Sequence, residues 1–337
     1  MMNVTRRKLI KLTALGGVQA IAAPFIAREA WAQTPTVTLK LTYTDTPSHP
    51  VAKVMQRFAD NVKSRTGGAV EIQVFSVGQL GSQTNILTGL QTGIIDLCAH
   101  ASGFVQSILP RWQVVDLPFI FPDTAAAEKV LDGPVGQQLL EMMPSKGIYG
   151  LAFGTWGWRV IDTFSRKLPT PADTKGLKIR VPPGPVFTAT WRALGASPIA
   201  IDLTEVFLAL SQKTIDAVDI PIIALPSTKL YEVVNTVNVT NHQYNVGVLM
   251  VGKRKFDSLA PAHQEAIRAA SREVTVDWRK SVAEGTEAAS VFVKDKGISI
   301  VPVDREAYRK ATEPVYKEMR EVIGGDLIDA VLKQVGR

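Results

Sequence analysis

The stretch that decides the fold spans residues 37–75 and reads VTLKLTYTDTPSHPVAKVMQRFADNVKSRTGGAVEIQVF. Apolar and polar side chains alternate in residues 37–43 and again in 70–75, which is the two-residue period of a β-strand. Within residues 50–62 the apolar side chains recur every three or four positions, which indicates an amphipathic helix. Gly67-Gly68 ends that helix. The stretch is therefore predicted to form a β-α-β unit.

The pattern continues with a helix around residues 86–90 and a third strand at 94–99. A β-α-β-α-β order predicts right-handed crossovers and a mainly parallel sheet that is covered on both faces. Ligands bind such sheets beyond the carboxyl ends of the strands. We therefore expect the turns at 44–49, 77–82 and 100–103 to line a cleft.

A second α/β block begins near Gly154. Strands are predicted at 178–181 and 215–220, and Thr204 is expected to cap one of the helices between them. Two such units in one chain favour an α/β fold of two lobes with a ligand between them. Residues 261–294 carry a helical pattern that is too long to belong to one lobe.

Residues 1–32 resemble an export signal. Residues 5–11 are rich in arginine and lysine, an apolar stretch follows, and Ala30-Trp31-Ala32 has the small-x-small pattern of a cleavage site. The pair Arg6-Arg7 and the weakly hydrophobic middle favour a twin-arginine signal, and the alternative is an ordinary secretory peptide. Cleavage would leave a mature chain that starts at Gln33 and resides in the periplasm.

The net charge gives no reason to expect a nucleic-acid partner. The 337 residues carry a formal charge of +7, which falls to +3 without residues 1–32, because five basic residues and one acidic residue lie there. A small positive excess suits an anionic ligand. The one cysteine, Cys98, rules out an intramolecular disulfide and is predicted to be a small buried apolar residue.

The sequence contains none of the motifs that mark common catalytic or metal sites. HExxH, paired CxxC, GxxxxGK[ST] and G-x-S-x-G are absent, and the four histidines are scattered. We therefore predict no catalytic residue, no metal site and no cofactor. A binding protein is favoured over a hydrolase.

Six short segments carry a resemblance to a known family. They are GQLG at 78–81, LPF at 117–119, LDGP at 131–134, KGLKIRVP at 175–182, GASP at 195–198 and EVFLAL at 205–210. In this order they resemble the solute-binding proteins of tripartite ATP-independent periplasmic (TRAP) transporters, of the C4-dicarboxylate (DctP) type. The likeness covers essentially all of residues 33–337.

The resemblance implies two α/β lobes, joined by crossing strands and a long helix, that close over an organic acid. Lobe I is expected to comprise residues 33–157 and 246–285, and lobe II residues 158–245 and 286–337. The captured acid would be delivered to the membrane permease subunits of a TRAP transporter. We expect a monomer.

The resemblance also implies two ligand-binding arginines. Arg180 matches the family arginine that forms the principal salt bridge to the ligand carboxylate, and a planar guanidinium suits that role because it offers parallel donors to two oxygens. Arg159 resembles a second ligand arginine and is expected to be more exposed to solvent. The structural alternatives are a surface arginine at a strand end for Arg180 and a hinge salt bridge for Arg159.

Four further ligand contacts are predicted from the resemblance. Trp156 stands where relatives often have polar residues, so it either forms an aromatic wall of the site or is buried in the core. His100 falls where some relatives place a carboxylate that contacts the ligand. Thr44 and Ser82 lie at turns that are expected to face the cleft.

The segment DAVDIP at 216–221 departs from the family pattern, in which many relatives read DGQENP. Asp219 and Ile220 are predicted to face the ligand, and Ile220 replaces an asparagine that usually bonds the carboxylate. Together with Trp156 it favours an acid with an apolar or aromatic body and one carboxylate, while a dicarboxylate stays open. The alternative functions are a periplasmic enzyme or a ligand sensor on the same fold.

Overall fold

The structure is a computed structural model that describes residues 36–82 and 85–337. The predicted export signal and its cleavage site lie outside the described residues, so both stay predictions. Within the described ranges, no helix has the length and hydrophobicity needed to cross a bilayer.

The strands of the described ranges form one mixed sheet. They are β1 (Val37–Tyr43), β2 (Val70–Phe75), β3 (Leu97–Ala101), β4 (Ile148–Thr163), β5 (Lys178–Val181), β6 (Ser197–Ala200), β7 (Ala217–Pro221), β8 (Thr236–Gly252) and β9 (Ser299–Pro302). Their order is β2-β1-β3-β8-β4-β7-β5-β6, with β9 paired to β8. β1 pairs in parallel with β2 and β3, and β5 with β6 and β7. The prediction of a mainly parallel sheet holds within these two groups only, because β4 and β8 run antiparallel between them.

Helices connect and flank these strands. They are α1 (Pro50–Arg65), α2 (Ile86–Thr92), α3 (Ser102–Val105), α4 (Thr124–Leu131), α5 (Pro134–Met142), α6 (Pro185–Ala193), α7 (Leu203–Ser211), α8 (Ala224–Thr228), α9 (Lys253–Asp257), α10 (Pro261–Asp295), α11 (Arg305–Ala311), α12 (Glu313–Ile323) and α13 (Gly325–Gln334). Short 3₁₀ segments lie at Pro110–Asp116, Met143–Lys146, Pro171–Thr174 and Leu230–Glu232. The long helix predicted at 261–294 is confirmed as α10, which contacts α1 and β4 as well as α8 and β9.

The two long strands, β4 and β8, connect the two parallel groups. β8 pairs with β3 and β4 pairs with β7, while β4 and β8 pair with each other along most of their length. Their register shifts between Thr155 and Trp158, where Thr155 faces Val246 and Trp158 faces Tyr244. Such a bulge bends a strand and increases its twist. The predicted lobe boundaries, at 157/158 and 245/246, fall beside this bulge, and the division into lobes stays a prediction.

The hydrophobic core confirms the helical pattern that opened the sequence. Val51, Val54, Met55, Phe58 and Val62 of α1 are buried and pack in one cluster with residues of β1 and α10. A second buried cluster contains Cys98, and burial raises the pKa of its thiol. Cys98 is therefore the small buried residue that was predicted.

The starts of three predicted elements are wrong, and one of them is β7, which begins at Ala217 rather than Ile215. β3 begins at Leu97 rather than Ile94, because Gly93 ends α2 in a left-handed conformation and leaves Ile94 exposed in the turn. α7 begins at Leu203, so Asp202 rather than Thr204 takes the N-cap position, with an extended backbone and no capping bond from its side chain.

Asp162 on β4 is a fully buried carboxyl group, and neither of its oxygens has a hydrogen-bond partner among the described residues. Its backbone lies opposite Val218 on β7 and Val237 on β8. Burial, with a smaller contribution from the charge of Asp219, raises the pKa of Asp162 well above its usual range. The folded chain therefore holds this proton more tightly than the unfolded chain. The resulting stability is fully present below the unfolded pKa of about 4 and is lost as pH rises through the folded pKa.

We expect Asp162→Asn to remove this part of the pH dependence, since the amide does not titrate. Thermal unfolding measured from about pH 4 to about pH 8 should show the wild-type Tm falling relative to that of the variant. Asp60→Asn, at an exposed position, is the control and should follow the wild type. Parallel curves for the wild type and Asp162→Asn would contradict this assignment.

Candidate functional site

A cavity of about 60 Å³ lies at the carboxyl ends of the parallel strands. Its wall includes residues that end or directly follow β1, β3, β5 and β7, as expected for a sheet of this kind. The polar side chains on the wall are Thr44, Asp45, Arg159, Arg180 and Asn245. The larger apolar ones are Phe104, Trp156, Phe187, Leu203, Ile220 and Ile223.

Five of the eight predicted site residues line this cavity. They are Thr44, Trp156, Arg159, Arg180 and Ile220. The other three, Ser82, His100 and Asp219, are not on its wall. Contact with a ligand stays a prediction for all eight.

Arg159 on β4 is buried and already has a protein counter-ion. Its Nε donates to Oδ1 of Asp219 at 2.7 Å, and a terminal nitrogen donates to the backbone carbonyl of Asp219. The guanidinium carbon lies 5.4 Å from the centroid of the Phe187 ring, within the range of a cation–π contact. The expectation that Arg159 is the more exposed arginine is wrong, since it is as buried as Arg180.

Asp219 holds Arg159 rather than facing the cavity. Its other carboxylate oxygen accepts a hydrogen bond from the Trp191 indole at 2.8 Å, and Nε2 of His242 lies 3.3 Å from Oδ1. Burial alone would raise the pKa of Asp219, but Arg159, His242 and Trp191 together hold it well below its usual range. A carboxylate enclosed by these groups stabilises the arginine beside it.

Arg180 on β5 is the second buried arginine, and it has no such counter-ion. Its Nε donates to the carbonyl of Ile201 at 3.0 Å. Among the described residues no Asp or Glu oxygen lies within 4.0 Å of its guanidinium. Burial and then the charge of Arg159 lower the pKa of Arg180 to about 9, against the opposing effects of Asp219, Asp202 and Glu205. The side chain is thus still charged at neutral pH, in a place where an uncompensated charge is costly.

Trp156 lines the cavity and is also a buried core residue. The two positions predicted for it, an aromatic wall of the site and the core, are therefore both occupied by the same ring. Its indole N–H donates to Oδ2 of Asp45, and its ring packs edge-on against Trp278 with centroids 5.0 Å apart. Two glycines make room for this pair. A Cβ at Gly247 would lie 2.5 Å from the Trp156 ring, and one at Gly154 would lie 2.1 Å from the Trp278 ring.

His100 does not occupy the place predicted for it, whereas Ser82 lies in the predicted turn but not on the cavity wall. Because β3 continues to Ala101, His100 lies inside the strand rather than in the turn after it, and its side chain is fully buried. The ring packs on Phe104, with centroids 4.0 Å apart, and Phe104 in turn lines the cavity. Ser82 is exposed.

Asp116 forms a buried polar network behind Arg159. Its carboxyl oxygens accept hydrogen bonds from Ser102, Gln106 and Gln243, at distances from 2.6 to 3.0 Å. Burial raises the pKa of Asp116 to about 6, although these bonds and Arg159 oppose the shift. Gln243 lies opposite Arg159 in the β4–β8 ladder, so the network fixes the backbone that carries Arg159.

Sequence reasoning missed several residues of the cavity wall, and Asp45, Phe187 and Asn245 show why. Asp45 follows Thr44 in a turn that was expected to line the cleft, but a turn does not reveal which of its side chains point inward. Phe187 is a buried apolar residue of α6, and such a residue is ordinarily part of the core. Asn245 lies on β8, whose buried residues show no clear two-residue period.

The described residues include no group of three or more His, Cys, Asp or Glu side chains arranged to hold a metal ion. The polar wall of the cavity consists of two arginines, one carboxylate, one amide and one hydroxyl. This set suits an organic anion better than a cation.

Comparison with known families identifies the protein. Residues 41–322 match the family described as bacterial extracellular solute-binding protein, family 7 (DctP). The chain belongs to this family. The membership confirms the resemblance seen in the sequence, and members of the family are substrate-binding receptors that work with TRAP membrane components.

Two named relatives extend the family assignment along most of the chain. The 2,3-diketo-L-gulonate-binding periplasmic protein YiaO of Escherichia coli K12 is 34% identical over 280 residues, which are 82% of this chain and 85% of the relative. The C4-dicarboxylate-binding periplasmic protein DctP of Rhodobacter capsulatus is 31% identical over 323 residues, which are 94% and 96% of the two chains.

Solved structures of family members share the fold. The sugar acid binding protein DctPAm from Advenella mimigardefordensis, in complex with galactonate, aligns with a TM-score of 0.87 and 28% identity over 90% of this chain and 98% of its own. A TRAP periplasmic solute-binding protein from Polaromonas sp. JS666, bound to D-erythronate, aligns with a TM-score of 0.85 and 31% identity over 88% and 98% of the two chains. The predicted two-lobed α/β class is thereby confirmed.

The Arg159–Asp219 pair yields a prediction about stability. Asp219→Asn leaves a buried arginine without its counter-ion, so we expect the free energy of unfolding to fall by about 3–5 kcal/mol in denaturant titrations. Asp329→Asn, which breaks the exposed pair with Arg320, is the control and should cause no measurable change. Equal stability of Asp219→Asn and the wild type would contradict the structural role of Asp219.

Proposed function

We propose that this protein is the extracytoplasmic receptor of a TRAP transporter, which captures a small organic acid through Arg180 and delivers it to the membrane permease. The single observation that carries the proposal is the position of Arg180, a buried cation on a cavity wall with no protein carboxylate within ion-pair distance among the described residues. Relatives named as binding proteins for organic acids support it.

The charges around the cavity favour one ligand carboxylate at the arginines. Arg159 is neutralised by Asp219, whereas Arg180 is not. An arginine binds a carboxylate through two parallel hydrogen bonds, and such charge-assisted bonds are about twice as strong as neutral ones. We therefore assign Arg180 as the anchor and Arg159 as a second donor whose orientation is fixed by Asp219.

The apolar wall favours a compact acid. Trp156 and Ile220 face the same cavity as the arginines, together with Phe104 and Phe187. The cavity of about 60 Å³ is smaller than the roughly 150 Å³ that holds a benzene ring in an engineered protein core. An aromatic acid would require side chains or lobes to move, so within the predicted class we favour a small aliphatic acid.

The remaining assignments rest on the family. We infer a periplasmic protein, because the family is described as extracellular and two relatives are named as periplasmic. We infer that the bound acid is released chemically unchanged, since the named relatives are binding proteins. We further infer that the protein is a monomer and does not bind nucleic acid. We also infer that its two lobes divide near the β4–β8 bulge at Thr155.

Calorimetric titration of Arg180 variants with a panel of small carboxylates tests the anchor. Arg180→Met should lower affinity by about 30-fold to several thousandfold, because about 2–5 kcal/mol is lost when the partner of a buried charge is removed. Arg180→Lys should recover part of this loss, since an ammonium cannot reproduce the two-pronged geometry. Binding of the Met variant within about threefold of the wild type would refute the anchor role.

Thermal unfolding of the ligand-free variants separates a binding role from a structural one. Arg180→Met removes a buried charge that has no counter-ion, so its Tm should not fall. Arg279 is the matched control, because its guanidinium is held by Asp132 at 2.7 and 2.8 Å. Arg279→Met should lower the Tm and leave the affinity for acids unchanged. The reverse pattern would make Arg180 a structural residue.

A further inference from the structure

Asp45 is a carboxylate on the wall of the same cavity, and only one of its oxygens is used by the protein. It lies two residues beyond the end of β1 and is buried. Oδ2 accepts the indole N–H of Trp156. No hydrogen-bond donor of the described residues reaches Oδ1, and its nearest ionic neighbour is Nε2 of His49 at 3.9 Å.

His49 does not satisfy this oxygen. Its Nδ1 accepts a hydrogen bond from the backbone N–H of Val51 at 3.2 Å, where it caps α1, so a neutral ring carries its proton on Nε2. The separation of 3.9 Å from Nε2 to Oδ1 is too long for a hydrogen bond. Burial lowers the pKa of His49 against the opposing charge of Asp45, so the neutral ring is the form to consider at neutral pH.

Asp45 and Arg180 enter the cavity from different parts of the sheet. Asp45 follows β1, in the β1–β3 group, whereas Arg180 lies on β5, in the β5–β7 group. The cavity therefore presents donors on one wall and a free carboxylate oxygen on another.

We propose that Asp45 is a specificity-determining residue whose Oδ1 accepts a hydrogen bond from a hydroxyl or ammonium group of the bound acid. The receptor would then select acids that carry a second hydrogen-bond donor over unsubstituted acids of the same length. This inference rests on the proposed function, because it needs the carboxylate of the ligand to lie at Arg180. The inference concerns the end of the ligand that lies opposite its carboxylate.

The selectivity follows from the cost of an unsatisfied buried carboxylate oxygen. A ligand without a donor would exclude water from Oδ1 and leave that oxygen without a hydrogen bond. A hydroxyl or ammonium group on the ligand restores the lost hydrogen bond. Sites built to bond a ligand OH or NH discriminate strongly against analogues that lack the group. We expect a preference of about 10- to 100-fold, in line with hydrogen bonds to charged groups.

The test is calorimetric titration of the purified receptor with butyrate, the 2-, 3- and 4-hydroxybutyrates and 4-aminobutyrate. At least one donor-bearing acid should bind about tenfold or more tightly than butyrate. Comparison of the hydroxybutyrates with 4-aminobutyrate shows whether Oδ1 prefers a hydroxyl or an ammonium donor. Binding of butyrate as tight as that of every derivative would overturn the inference.

Variants assign the preference to Asp45. Asp45→Leu should bring the donor-bearing acids to within about threefold of butyrate while butyrate itself binds no worse. Asp45→Asn keeps an acceptor for the Trp156 indole and guards against a folding defect, and it should abolish any preference for the ammonium. Asp60→Asn, at an exposed position away from the cavity, is the control and should keep the preference. An unchanged preference in both Asp45 variants would contradict the assignment.

The outcome separates this inference from the proposed function. If acids bind and Arg180→Met abolishes binding, but no preference depends on Asp45, only the role of Asp45 fails. If binding of every acid is indifferent to Arg180→Met, the proposed anchor fails, whatever Asp45 does.

Discussion

The uncompensated charge of Arg180 is the constraint on which the rest of the site depends. A guanidinium that is removed from water and left without a counter-ion is destabilising, and a protein core ordinarily avoids it. Here its Nε donates to the backbone carbonyl of Ile201, and the neighbouring charge that shifts its pKa most is the positive Arg159. Asp219, which could have served both arginines, is enclosed by Arg159, Trp191 and His242. Arg159 is thus neutralised by Asp219, whereas Arg180 has no carboxylate within ion-pair distance among the described residues.

The fold maintains this arrangement by bringing distant segments to one place. Arg159 lies on β4, Asp219 on β7, Arg180 on β5 and Asp45 beyond β1. β4 and β8 lie between the two parallel groups and join them, and the cavity is built from the carboxyl ends of strands in each group. The packing of Trp156 against Trp278, permitted by Gly154 and Gly247, ties the cavity wall to the long helix α10. Movement of that helix would therefore displace Trp156 and with it one wall of the cavity.

Much of this architecture could be predicted from local patterns. The β1-α1-β2 unit has clear strand and helix periods, and the apolar stripe of α10 is long enough to be unmistakable. β4 and β8 could not be predicted from residue patterns, because their side chains are buried on both faces and do not alternate. The crossing of the strands was expected only from the resemblance to the family.

The sequence predicted several residues of the site, but it did not predict which of them point into the cavity. Arg180 and Ile220 line the cavity because they lie near the carboxyl ends of β5 and β7. Asp219 and His100 were expected at the wall, yet a strand alternates its side chains between two faces, and one residue of register decides whether a side chain faces a cavity or the core. The inward orientation of Asp45 depends on the indole of Trp156, which lies 111 residues away in the sequence.

A crystal structure of the receptor with a bound small carboxylate tests the central claim most directly. The account predicts that both oxygens of the ligand carboxylate lie about 3 Å from the terminal nitrogens of Arg180, while Asp219 remains paired with Arg159. A ligand bound away from Arg180, with that arginine turned to Asp202 or Glu205 instead, would contradict it.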